Sequence, residues 1–142
     1  MKLEIGVWQF VRIMVELEAQ AGRAKGGRRP SVYDDWREPW DELDERLTEL
    51  AARDHAAYAD LMMNQNVVVQ YQGAKHGREV VHALDRVIND MKGEIRRGGT
   101  SQRLKDLRFE SRELQSLRGD LAARALDKGA RKGKRTRAPR QQ

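Results

Sequence analysis

The chain has 142 residues, enough for one domain. At 39% hydrophobic and 35% charged residues it fits helices that each bury one stripe better than a parallel sheet buried on both faces. It has no cysteine, which excludes disulfides, thiolate zinc sites, iron–sulfur clusters and cysteine nucleophiles.

Apolar spacing predicts a first helix over residues 3–21. Leu3, Val7, Phe10, Met14, Leu17 and Ala21 recur every three or four residues and share one face. Trp8, Val11 and Val15 widen that stripe. A rival reading makes the start a strand, because Leu3, Ile5 and Val7 alternate. Glu4, Glu16 and Glu18, with no small-residue cleavage site, make this segment a poor signal peptide, and a cytoplasmic location is the expectation.

Residues 22–39 read as a long connection, with Gly22, Gly26, Gly27, Pro30 and Pro39. Ser31 and Asp34 are spaced to cap one short turn. Arg23, Lys25, Arg28 and Arg29 sit beside Tyr33 and Trp36, a pattern able to track a phosphate backbone and stack bases. Asp34 and Asp35 repel phosphate, and Trp36 with Trp40 has core spacing, so packing beneath the loop is the stronger reading of these aromatics.

A second helix is expected from near Pro39, which suits a first helical position. Asp41, Glu42, Asp44 and Glu45 complement its dipole, and Trp40, Leu43, Leu47 and Leu50 form its stripe. It continues through Tyr58, Leu61 and Met62 toward Val67, Val68 and Val69, where a short strand is the alternative. Gly73 and Gly77 end it or bend the chain. Residues 34–60 carry ten acids and three basic residues.

The third helix is expected over about residues 78–97, with Val81, Leu84, Ile88, Met91 and Ile95 on one face and Val80 and Val87 flanking. Gly98-Gly99 stops it. Thr100 or Ser101 caps a fourth helix striped by Leu104, Leu107, Leu114, Leu117, Leu121 and Ala125. Ser111 and Arg118 fall at stripe positions and thin it. The expected class is all-α, a bundle of about four helices spanning residues 1–127, followed by a disordered basic tail of residues 128–142.

Charge location carries the functional reading. The net charge is +6, yet residues 128–142 alone hold Lys128, Arg131, Lys132, Lys134, Arg135, Arg137 and Arg140 and no acid. The rest of the chain has 21 basic and 22 acidic residues and is close to neutral. Such a block displaces counterions from a phosphate backbone and gives affinity without sequence specificity. Lys105, Arg108 and Arg112 recur at helical spacing and form a further candidate contact; Asp106, Glu110 and Glu113 between them offer intrahelical pairing as the plainer explanation.

No catalytic pattern, cofactor motif or metal-ligand spacing stands out. His76 and His82 are six apart, unlike the four-residue spacing of a helical metal pair. Glu42, Glu45 and Glu49 have no matching pair on another helix, so a carboxylate-metal hydrolase is the weakest reading. No apolar run approaches the about 20 residues that span a bilayer.

The expected function is a non-enzymatic, nucleic-acid-associated subunit of a nucleoprotein assembly, binding RNA or DNA and also protein partners or its own copies. A small backbone subunit of a CRISPR-type effector, or a phage or plasmid accessory protein, is an analogy of size, helicity and charge. The rival is an adaptor or assembly chaperone that docks a basic partner on residues 34–60.

Overall fold

A computed structural model describes residues 1–24 and 29–137, with side chains through Arg124. The elements in order are β1 (Lys2–Gly6), α1 (Val7–Arg23), α2 (Ser31–Asp35), α3 (Arg37–Arg53), α4 (His55–Asn64), β2 (Asn66–Gln70), α5 (Gly73–Arg97) and α6 (Ser101–Arg137). The chain is thus predominantly helical. Among the described residues there are six helices and one two-stranded sheet where four helices were expected. It divides into two compact units, residues 1–71 and 72–142.

The sheet corrects the all-α expectation. β1 and β2 pair antiparallel, with Leu3 opposite Val69 and Ile5 opposite Val67. This register puts apolar side chains on one face, where Leu3, Ile5 and Val69 are buried, and Lys2, Glu4, Val68 and Gln70 on the other, where they are exposed. Main-chain bonds from Val7 N to Gln65 O (3.0 Å) and from Tyr71 N to Met1 O (2.8 Å) extend the ladder at both ends. A two-stranded ribbon is marginal alone; here α1 packs against both strands and α4 against β1. The alternation at Leu3 and Ile5 therefore marked a strand, and the first helix begins at Val7 rather than at residue 3. The three valines likewise form a strand, not the end of the second helix: β-branched side chains fit a pleated surface.

The expected second helix is two. Asp54 leaves helical geometry (φ −151°, ψ 91°), and its carboxylate accepts from Ala57 N at 3.1 Å. A polar residue that caps the next helix costs the previous one its continuation. α4 itself buries no residue. In the 22–39 connection, Ser31–Asp35 forms a short helical turn, with Pro30 at its N-cap position and Ser31 as its first residue.

The core of the first unit is built on Phe10, Ile13, Met14 and Leu17 from α1 with Val32, Tyr33, Trp36, Trp40 and Leu47 from α2 and α3 and the turn between them. Phe10 stands 5.8 Å from Trp36 and 6.2 Å from Trp40, the latter edge-on. Of the residues widening the α1 stripe, Trp8 and Val11 are half-buried and Val15 is 53% exposed.

In the second unit α5 packs on α6. α5 starts at Gly73, one turn before the expected Arg78. Gln72 N donates to His76 Nδ1 at 3.0 Å, so a side chain inside the first turn satisfies an amide that would otherwise lack a partner. Leu84, Ile88 and Met91 are buried as the stripe requires, and Val80 is fully buried. Gly98 ends α5 with φ 83°, a conformation that favours glycine. Thr100 Oγ1 accepts from Arg103 N at 3.2 Å, the expected cap. Leu107, Leu114 and Leu121 are buried. The polar stripe positions are accommodated too: buried Ser111 accepts from Gln115 Nε2, and Arg118 pairs with Asp85.

Among the described residues no helix is long and apolar enough to cross a membrane. α6 runs through Arg137, past the expected boundary at residues 127–128, while the tail's side chains lie outside the described residues.

Candidate nucleic-acid interface

The basic residues singled out by the sequence separate into three groups. Those near the loop are compensated or out of view. Arg23, in the last turn of α1, lies 3.9 Å from Glu16. Arg29 pairs with Asp34 at 2.6 Å, and its guanidinium lies 5.6 Å from the centre of the Tyr33 ring. Arg37 approaches the same ring at 5.4 Å. Tyr33 and Trp36 are buried, only 5% and 1% exposed, so neither offers a face to a base. These aromatics pack into the core of the first unit, as the core spacing of Trp36 and Trp40 suggested. Lys25 and Arg28 lie outside the described residues.

The tail group, Lys128, Arg131, Lys132, Lys134, Arg135, Arg137 and Arg140, also lies outside the described side chains.

The third group is on α6. Lys105, Arg108 and Arg112 are all exposed. At 100° per residue they fall, with Ser101, Phe109 and Ser116, within a sector of about 100° on the helix. That sector is the crest facing away from buried Leu107, Leu114 and Leu121. Asp106, Glu110, Glu113 and Asp120 all lie in the adjoining sector of about 80°. The acids that seem interleaved in the sequence are thus displaced to one flank. Asp106 is engaged there by Gln102 Nε2 at 2.9 Å.

The intrahelical pairing that would explain the cations without a ligand is missing: among the described residues, the side chains of Lys105, Arg108 and Arg112 make no hydrogen bond or ion pair. Two arginines that reach α5 behave differently, while exposed Arg78, Arg96 and Arg97 share the lack of a side-chain partner among the described residues. Arg103 binds Glu94 at 3.1 Å and Arg118 binds Asp85 at 3.0 Å. Lysine or arginine neighbours at three and four residues repel, costing the helix about 0.2–0.5 kcal/mol per pair. The crest is therefore arranged against helix stability, with its positive charge uncompensated.

Phe109 lies at the edge of this crest, next to the acidic flank, and is 48% exposed. The sequence reading passed over it. Its signal was available, since a large aromatic two residues after a buried leucine must face the opposite side of a helix.

Among the described residues no group of three or more His, Asp or Glu side chains is placed to hold a metal ion. Comparison of the chain with protein-family models, with curated proteins and with solved structures gave no match.

Proposed function

We propose that the chain is a non-enzymatic helical subunit of a nucleoprotein assembly, holding the backbone of RNA or DNA through lysine and arginine. The observation that carries this reading is the α6 crest, with three exposed cations lacking any carboxylate partner and their acids set aside on one flank. The tail of seven further basic residues follows in the same stretch of chain. Unpaired cations aligned along about 10 Å of helix suit successive phosphates.

The test is the salt dependence of binding to labelled RNA and DNA. Replacing Lys105, Arg108 and Arg112 by glutamine should lower affinity and flatten the logarithmic salt slope by up to about three units on duplex DNA, and by about two on single strands. Deleting residues 128–142 should flatten it by several units more. Unchanged affinity and slope in both variants would refute the reading.

A second reading, a protein adaptor, has one observation in its favour. α3 exposes Glu38, Asp41, Glu42, Asp44, Glu45 and Glu49, and α4, which buries nothing, exposes Met63 at 53%. On that reading a basic partner protein binds residues 34–60, and removing the tail leaves its affinity intact.

A further inference from the structure

We infer that the α6 crest takes single-stranded nucleic acid, with Phe109 stacking on an unpaired base while Lys105, Arg108 and Arg112 hold the neighbouring phosphates. This rests on the nucleic-acid reading above and narrows it to a substrate class.

The juxtaposition is specific. Phe109 is four residues after Lys105 and three before Arg112, so these two cations are its neighbours on one side of the helix surface, with Arg108 beyond them and Asp106 and Glu113 on the other side. Lone exposed apolar residues are common on proteins. An exposed aromatic beside cations without carboxylate partners is the composition of a stacking platform: the cations track the backbone on one side and the ring meets a base face. In a duplex every base face is already stacked within the helix, and the backbone presents only phosphates and sugars, to which a phenyl ring offers nothing. On a single strand the base faces are open.

Charge also argues against a second copy of this chain as the occupant. A two-fold interface sets the same patch against itself. Three uncompensated positive charges would then face three others.

The experiment measures binding of the full chain to labelled oligothymidylate, oligouridylate and blunt duplex DNA by fluorescence anisotropy over a salt series. Phe109→Ala, Phe109→Leu and Phe109→Tyr are compared with the parent and with the Lys105→Gln, Arg108→Gln, Arg112→Gln triple variant. Phe109→Ala should weaken single-strand binding roughly 5- to 150-fold, the range of one stacked base. Its salt slope and duplex affinity should stay as they were. Phe109→Tyr should retain single-strand affinity, and Phe109→Leu, apolar but not aromatic, should resemble alanine.

The inference is overturned if Phe109→Ala binds single strands like the parent, if it weakens duplex equally, or if leucine serves as well as phenylalanine. It is also overturned if sedimentation shows that Phe109→Ala dissolves a dimer. If the triple variant loses slope while Phe109→Ala changes nothing, stacking alone falls and the basic crest stands. If the triple variant too binds like the parent with the same slope, the crest is not the nucleic-acid contact.

Discussion

Trp36 donates its indole Nε1–H to the carbonyl oxygen of Gln70 at 2.7 Å, joining the turn between α2 and α3 to the last residue of β2 across 34 positions of sequence. The bond fixes the aromatic core of the first unit against its sheet. Trp36→Phe keeps a ring near Phe10 but leaves that oxygen without its donor. It should cost about 1–3 kcal/mol. Trp36→Ala also opens a cavity and should cost about 3–5 kcal/mol. Urea unfolding checks both. A phenylalanine variant as stable as the parent would mean that the hydrogen bond contributes nothing.

Asp85 and Arg118 join α5 to α6 through contacts of 3.0 and 3.5 Å. Both side chains are more than two-fifths exposed, so solvent screens the pair. A double-mutant cycle with Asp85→Asn and Arg118→Gln should give a coupling of only about 0.2–1 kcal/mol, shrinking as salt is added. A coupling of several kcal/mol would show that the pair is less solvated than its exposure indicates.

Asp60 receives side-chain hydrogen bonds from Asn64 Nδ2 at 3.0 Å and Gln65 Nε2 at 3.1 Å, which hold its carboxyl below the usual carboxylate range. A depressed folded-state value means the carboxylate favours the fold at pH above the ordinary carboxylate range. That contribution disappears as pH falls through the depressed value. Asn64→Ala should raise the Asp60 midpoint toward the ordinary one, and Gln65→Ala should raise it less, as read by NMR titration of the carboxyl carbon. An unmoved midpoint in both variants would show that these amides are not the cause.

Arg108→Glu separates stability from binding. It removes repulsion with Lys105 and Arg112 and places a glutamate four residues before Arg112, the favourable order for an intrahelical pair. The variant should be about 0.5–1 kcal/mol more stable than the parent by thermal or urea unfolding, yet bind nucleic acid more weakly. If it were destabilised, the arginine would have a structural task in α6 and the argument from uncompensated repulsion would be lost.

Local chemistry determined much of this protein by itself. Spacings of three and four marked the buried faces of α1, α5 and α6, because a helix brings such residues together whatever surrounds it. Gly98 and Thr100 ended one helix and capped the next through groups within a few residues of each other. The alternation of Leu3 and Ile5 already contained β1, but its partner did not follow. Val69 lies 66 positions from Leu3, and isolated ribbons of two strands are marginal, so the choice between strand and helix for both segments was made by α1 and α4 packing against them. Tertiary structure also decided the candidate site. In the sequence Arg29, Arg103, Arg108, Arg112 and Arg118 are equivalent cations near acids. The fold gives Arg29 its Asp34, Arg103 its Glu94 and Arg118 its Asp85, and turns Arg108, Arg112 and Lys105 outward on one side of Phe109. Whether a charge is compensated depends on distances of a few ångströms between side chains, and in Arg103 and Arg118 those distances are set by how one helix lies on another.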